Sequence, residues 1–133
     1  MESRDNPGLV EGLGMTEERL RAFGTAWAHG DVEELMAFMT DDCEYSASVG
    51  PEPGNTYVGR EAVRRGFEEM LRHDAKGRSR DGRVFIAGDR GAAEWSYEYG
   101  GGSGRVTEVR GCDLFEFRGD RIKRKDAYRK TYR

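Results

Sequence analysis

The sequence has few of the residues that build disulfide frameworks or metal sites. Only two cysteines, Cys43 and Cys112, and two histidines occur among its 133 residues. Two cysteines are too few for a disulfide framework, and neither has the CxxC or Cys/His spacing that would hold a metal ion. We therefore expect two free thiols and no metal site.

The chain also lacks a long apolar run. No segment approaches the roughly 20 apolar residues that a membrane-spanning helix requires. The first residues, MESRDNPGLVEG, do not combine a basic segment with the apolar stretch that is typical of a secretion signal. We expect a cytosolic protein that does not bind membranes.

Neither sign of charge is in large excess. The chain has 22 basic and 25 acidic residues, a net charge of −3, which does not favour a nucleic-acid or anionic membrane partner. The stretch 118–133, RGDRIKRKDAYRKTYR, is basic and contains interleaved tyrosines, as nucleic-acid contact surfaces do. Because it alternates like a solvated strand, we predict an exposed sheet face and no nucleic acid, with recognition of an anionic ligand as the alternative.

The apolar residues that are present are regularly spaced, which argues against disorder despite a mean hydropathy of −0.84. Residues 1–14 show little periodicity and are predicted to be a flexible N-terminal tail, with one domain over 15–133. Thr16 is placed to cap a first helix that Gly30 closes, and Asp31 is placed to cap a second. A third helix is predicted over Arg60–Arg72.

The remaining segments have the two-residue period of strands. Residues 43–49 alternate after a turn at Thr40-Asp41-Asp42, and a loop follows at 50–55. Strands at 83–87, 92–99, 105–118 and 121–132 are separated by short glycine-containing turns, as in an antiparallel meander. Helices followed by a run of hairpins predict an α+β domain.

The segments AWAHGDVEELMAFMTDDCEYSASVGPEP, WSYEY and RGCDLFEFRGDRIKRKDAY, in this order and spacing, resemble the nuclear transport factor 2-like superfamily, which includes SnoaL-like polyketide cyclases and ketosteroid isomerases. The resemblance covers residues 16–132. It implies a cone-shaped, cystatin-like domain in which three N-terminal helices pack on a strongly curved, mostly antiparallel sheet. It also implies a homodimer through the outer face of the sheet, where Arg110, Cys112, Leu114 and Glu116 would lie.

The resemblance carries over only part of the ketosteroid isomerase site. Ala47 stands where the family has its carboxylate base, and Phe23 where it has a tyrosine, which argues against a ketosteroid isomerase proper. Asp113 alone falls on a matching acidic position. SnoaL-like cyclases and the related limonene epoxide hydrolases place an acid on the last strand, which makes Asp126 the second candidate. Unbroken alternation puts Asp126 on the face of Ile122, whereas a bulge or a one-residue slip turns Ala127 or Lys125 inward instead.

Asp113 is the leading candidate for catalysis because Val109, Phe115 and Phe117 share its strand face. Burial among apolar residues raises the pKa of a carboxyl group. A protonated Asp113 could donate to a developing oxyanion, and an ionised one could take a proton from carbon. The structural alternative is an acid paired with an arginine or a backbone amide.

Aromatic residues on the same strand faces could line a slot for a flat, mostly apolar ligand. The candidate ligand contacts are Tyr45, Trp95, Tyr97 and Phe115 on strands, together with Trp27 on the first helix and Tyr57 after the loop. The alternative is that these rings form the ordinary core. The two histidines, His29 and His73, lie at predicted helix ends, where capping is expected rather than catalysis.

These residues and the resemblance together predict an enzyme without a cofactor that acts by acid/base catalysis on a small hydrophobic carbonyl compound, by ring closure or isomerisation. Asp113 and Asp126 are its candidate catalytic residues. Two alternatives stay open: a non-catalytic ligand-binding or dimeric scaffold protein, and an epoxide hydrolase in which both acids and an arginine such as Arg129 face one water.

Overall fold

The computed structural model describes residues 14–51, 53–100, 102 and 104–131. The tail predicted over 1–14 lies outside these residues except for Gly14. Three helices and six strands follow in the order α1 (Glu17–His29), α2 (Val32–Ala37), β1 (Met39–Ser46), β2 (Thr56–Val58), α3 (Arg60–Asp74), β3 (Gly77–Ala87), β4 (Arg90–Gly100), β5 (Val106–Arg118) and β6 (Arg121–Arg129). None of the described helices could cross a bilayer.

The first two helices begin and end where their capping residues predict. The Thr16 hydroxyl accepts a hydrogen bond from the Arg19 backbone N–H at 3.1 Å, and the Asp31 carboxylate accepts one from the Glu34 N–H at 3.1 Å. Between the helices, Gly30 has a φ of 70°, the left-handed conformation that glycine adopts without a steric penalty. The chain therefore turns sharply between α1 and α2, as the sequence predicts.

The six strands form one curled sheet in the order β2-β1-β6-β5-β4-β3. All neighbours are antiparallel except β1 and β6, which run parallel. This parallel contact places the first long strand beside the last one. The three helices pack on the inner face of the sheet, which confirms the predicted α+β cone with a mostly antiparallel sheet.

Several strand boundaries differ from the prediction, most clearly at the start of β1 and of β3. The turn predicted at Thr40-Asp41-Asp42 is wrong: β1 already begins at Met39, and its pairing with β6 shifts between Met39 and Glu44, so the two-residue period is lost there. Strand β3 begins at Gly77 rather than at 83. The sequence did not predict this start because the first seven residues of the strand are exposed and carry no apolar alternation. The short strand β2 falls directly after the predicted loop.

A bulge in β6 decides which of its side chains face the helices. In the pairing of β5 with β6, Glu116 is opposite Arg124 while Phe117 is opposite Ile122, so Lys123 is the extra residue. After Lys123, the residues of β6 that would have faced outward under unbroken alternation face the helices. As a result Ile122, at 0% exposure, and Lys125, at 5%, both point inward.

The core lies between the helices and the inner face of the sheet, and aromatic side chains fill much of it. The ring of Phe23 packs edge-on against those of Phe67 and Phe115, and the Trp27 and Tyr45 rings both contact Phe67. These contacts hold α1 and α3 against the sheet and form one wall of a cavity.

Candidate functional site

A cavity of about 140 Å³ lies between α1, the C-terminal end of α3 and the inner faces of the strands. Its larger apolar and aromatic lining residues are Phe23, Trp27, Tyr45, Val49, Met70, Trp95, Tyr97 and Val109. Asp113 and Lys125 provide its most deeply buried charges, with side chains 13% and 6% exposed. An aromatic pocket with a few convergent polar groups is the usual form of a small-molecule site.

Asp113 lies on β5 at the position where unbroken alternation predicts an inward side chain. Its Oδ1 accepts a hydrogen bond from the Trp95 indole N–H at 3.1 Å, and its Oδ2 is 3.5 Å from the Lys125 Nζ. Burial raises the pKa of Asp113 above its ordinary value of 3.8, while the Lys125 charge and the Trp95 hydrogen bond oppose that rise. Its partners are thus a lysine and an indole, not the arginine or amide that the structural alternative expects.

Lys125 is brought into the cavity by the β6 bulge. Its Nζ lies 4.5 Å from the centre of the Trp27 ring and 4.8 Å from that of Tyr45. A cation close to the faces of two aromatic rings is attracted by their negative π-electron density. The two rings and Asp113 together compensate for removing this ammonium group from water.

Tyr45 places a hydroxyl in the same part of the cavity. Its side chain is buried, with the residue 1% exposed, and burial together with the negative charges of Asp113 and Asp74 raises its pKa well above the ordinary value of 10. The hydroxyl therefore keeps its proton at neutral pH. Within the described parts of the chain, no hydrogen-bond partner of this hydroxyl is found, although the residue lines the cavity.

A second polar group lies at the end of α3. Asp74 accepts a hydrogen bond from the Trp27 indole N–H at 2.9 Å, and its other oxygen is 3.3 Å from the His73 Nδ1. The Tyr97 hydroxyl donates to the His73 backbone carbonyl at 3.1 Å. These contacts fix the orientation of Trp27 and tie β4 to the end of α3. His73 lies in the last turn of α3, where the sequence predicts a capping role, and it also lines the cavity.

Four of the six predicted ligand contacts line the cavity: Tyr45, Trp95, Tyr97 and Trp27. Phe115 is instead part of the core, stacked on Phe117 with ring centres 5.8 Å apart. The Tyr57 ring stacks on Tyr45 at 5.8 Å, and its hydroxyl donates to Glu69 outside the cavity. Phe115 and Tyr57 therefore pack against residues that line the cavity but do not line it themselves.

The structure does not bring Asp126 to the cavity. Asp126 is directly opposite Leu114, which lies on the outer face of the sheet and is 45% exposed. Its carboxylate pairs with Arg124 at 3.2 Å and accepts a hydrogen bond from the Tyr128 hydroxyl at 3.2 Å. The interpretation that Asp126 faces the pocket with Ile122 is wrong, because the bulge at Lys123 reverses the alternation. The two acids required for epoxide hydrolysis therefore do not face each other.

Sequence reasoning missed several charged residues that line the cavity, among them Lys125, Asp74, Asp81 and Glu94. Lys125 lies within a run of basic residues, which is typical of a solvated face, and was expected inside only if the strand slipped or bulged. Asp74 follows His73 at the end of a helix, where a polar residue carries no distinct signal. Within the described part of the chain, no three His, Cys, Asp or Glu side chains form a group suited to a metal ion.

The fold and the cavity define a class of protein: a small α+β cone with a pocket between its helices and a curled sheet. The model of the SnoaL-like domain family matches residues 20–125. This chain belongs to that family. Comparison with curated protein sequences gave no match.

Solved structures with this fold include three instructive relatives. An NTF2-like protein of unknown function from Mesorhizobium loti is 24% identical, with a TM-score of 0.73 over 95% of this chain and 98% of its own. A protein with a ketosteroid isomerase-like fold from Catenulispora acidiphila, in complex with trimethylamine, is 25% identical, with a TM-score of 0.65 over 86% of each chain. A candidate polyketide cyclase from Xanthomonas campestris pv. campestris is 22% identical, with a TM-score of 0.64 over 84% of this chain and 87% of its own.

Proposed function

We propose that this protein is an enzyme that moves a proton next to a carbonyl group in a small hydrophobic molecule, leading to isomerisation or ring closure. The observation that carries the proposal is Asp113, a carboxyl group buried in an aromatic cavity and held between an indole N–H and an ammonium group. No cofactor is required for this chemistry. The reaction class is also the one suggested by the family and by the candidate polyketide cyclase of similar fold.

In the proposed reaction Asp113 is the general base. A carboxylate oxygen takes a proton from the carbon beside the carbonyl group, the C–H electron pair forms a C=C bond, and the carbonyl π electrons move to oxygen. If a C=C bond is conjugated with the enolate, Asp113 can return the same proton to the far carbon of this dienolate, which isomerises the substrate. Alternatively the enolate carbon attacks a second carbonyl of the same molecule and closes a ring, and Asp113 returns the proton to the alkoxide oxygen that forms. A base with a raised pKa is suited to this step because proton transfer is most efficient when its pKa lies near the working pH.

The size of the cavity limits the part of the substrate that it encloses. An apolar cavity of about 150 Å³ accommodates a benzene molecule, and the cavity here has about 140 Å³. We therefore expect one ring bearing the reactive carbonyl group to lie inside. The remainder of a larger substrate would extend past His73, which lines the cavity and has a half-exposed side chain.

Exchange of carbon-bound hydrogen tests this proposal without knowledge of the natural substrate. Indan-2-one, a compact ketone, is incubated with the protein in D₂O, and the loss of its α-proton signal is followed by ¹H NMR. We expect acceleration over buffer that Asp113→Asn reduces by a factor of about 10² to 10⁴, the usual contribution of a general base. Asp126→Asn is the matched control, because it removes a carboxylate from the outer face, and it should exchange at the wild-type rate.

The second candidate is a ligand-binding protein without catalysis. It is favoured by Ala47 and Phe23, which occupy the positions where ketosteroid isomerases carry the base and a tyrosine. The same experiment separates the two functions. Saturable binding of indan-2-one without exchange supports the binding protein, and equal losses in Asp113→Asn and Asp126→Asn contradict the role of Asp113.

A further inference from the structure

The parallel contact between β1 and β6 places two hydrogen-bond donors side by side. Tyr45 and Lys125 are directly opposite each other in this pairing, and both side chains point into the cavity. Among the strands that the structure describes, every other pair is antiparallel. The donor pair therefore depends on the closure of the sheet by its first and last long strands.

Both donors have hydrogen-bonding capacity that the described residues do not use. An ammonium group has three N–H bonds, and the anionic partner of Lys125 in the described part of the chain is Asp113, at 3.5 Å. Charge-assisted hydrogen bonds are normally about 2.7–2.9 Å long, so this contact is a loose ion pair. The Tyr45 hydroxyl is buried and has no partner among the described residues.

We propose that Lys125 and Tyr45 bind the carbonyl oxygen of the substrate, which orients the adjacent carbon toward Asp113. This inference rests on the proposed function and adds to it the catalytic residues that stabilise the enolate and the direction in which the substrate binds. The substrate enters with its oxygen toward the contact between β1 and β6.

The charges of the site balance throughout this step. Before the reaction the buried charges are the Asp113 carboxylate and the Lys125 ammonium. When Asp113 takes the proton, its negative charge is replaced by that of the enolate oxygen, and Lys125 remains paired with an anion. No net charge is created inside the cavity, where an unpaired charge is costly. Donors fixed in advance around a developing oxyanion in a water-poor site are the most effective kind of electrostatic catalyst.

Binding of 4-nitrophenol tests the oxygen site separately from catalysis. Its phenolate resembles an enolate and absorbs at a longer wavelength than the neutral phenol, so the spectrum reports the bound form. The measurement is made at a pH where the free probe is mostly neutral. We expect wild type to bind part of the probe as phenolate and Asp113→Asn to bind more, because the competing carboxylate is gone.

The decisive comparison is between Asp113→Asn and the double variant Asp113→Asn/Lys125→Met. If Lys125 contacts the oxygen, the double variant should bind phenolate at least about tenfold more weakly, in keeping with the effect of removing one oxyanion donor. If Lys125 only neutralises Asp113, the two proteins should bind it equally, which overturns the proposal. The double variant has no buried unpaired charge, so its fold should survive, and thermal unfolding verifies this.

Two further variants complete the test. Tyr45→Phe should weaken phenolate binding and leave neutral phenol binding within about twofold, because only the hydroxyl is lost. Lys123→Met is the matched charge control: it lies on the same strand and pairs with Glu44 outside the cavity, so phenolate binding should not change. An equal loss in Lys123→Met would assign the effect to long-range charge and refute the direct contact.

The two proposals fail in different ways. If wild type exchanges the α-protons of indan-2-one but phenolate binding does not depend on Lys125 and Tyr45, the oxygen site is wrong and the acid/base function stands. If phenolate binding depends on both residues but no exchange occurs, the oxygen site is right and the protein is a binding protein for enol-like or phenolic ligands.

Discussion

Lys125→Met should destabilise the protein by an amount that depends strongly on pH. The variant removes the counter-ion of Asp113 and keeps an apolar side chain of similar length. Both partners are buried, with side-chain exposures of 6% and 13%, so solvent screens the pair weakly. Breaking a buried pair by removing one partner typically costs about 3–5 kcal/mol. We expect about 3 kcal/mol at neutral pH, because the Trp95 hydrogen bond remains.

The pH dependence follows from the raised pKa of Asp113. The folded protein holds this proton more tightly than the unfolded chain, whose carboxyl group titrates near 3.8. The contribution of Asp113 to stability therefore falls as the pH rises from 3.8 through the folded pKa. Without Lys125 that pKa rises further. The loss caused by Lys125→Met should thus be smaller at acid pH, where a larger fraction of Asp113 carries its proton, than at neutral pH.

Urea unfolding of wild type and variant at about pH 4.5 and about pH 7.5 measures the difference in the free energy of unfolding at each pH. Carboxyl-carbon NMR, assigned with Asp113→Asn, follows the pKa of Asp113 directly. The double variant Asp113→Asn/Lys125→Met lacks the titrating carboxyl group, so relative to wild type it should gain stability as the pH rises, which is the opposite of the trend for Lys125→Met. The same loss for Lys125→Met at both pH values, or an Asp113 pKa that does not rise in the variant, would refute the reasoning.

Three other changes test the fold, the surface and the assembly. Gly111→Ala would place a Cβ against the Trp95 ring and the Tyr128 carbonyl. We expect the free energy of unfolding in urea to fall by about 1–3 kcal/mol and the tryptophan fluorescence to shift. Wild-type values of both would contradict this packing. Arg118 lowers the pKa of Asp42 to about 2. Arg118→Gln should therefore return this pKa toward 3.8, measured by carboxyl-carbon NMR, and a pKa that stays near 2 would assign the effect to another group. The stability that this pair contributes is present above pH 3.8 and is lost as the pH falls through about 2. Leu114 is 45% exposed on the outer face, where we propose that a homodimer forms; light scattering should give a dimer that Leu114→Arg dissociates, and a wild-type mass near 15.0 kDa would refute the dimer.

Local patterns in the sequence predicted most of the fold. Thr16, Gly30 and Asp31 define the ends of the first two helices, because capping depends on residues within a few positions of each other. The alternation from Val109 to Phe117 is unbroken, and it predicted that Asp113 points inward. The order of helices and strands also followed from these patterns, and it supported the family resemblance, which the family match over residues 20–125 confirmed.

The contents of the cavity depended on contacts between distant segments. Lys125 and Asp126 are neighbours in one basic strand, and only the bulge at Lys123 determines that the lysine is buried and the aspartate is not. A bulge is a mismatch between two paired strands, so the sequence of one strand does not reveal it. The sequence by itself therefore determined the fold and the direction of Asp113. The tertiary structure decided which groups surround this carboxylate, because a buried charge requires compensating groups from distant segments. Trp95 of β4 and Lys125 of β6 contact Asp113, and the aromatic rings of α1 and β1 contact Lys125 in turn.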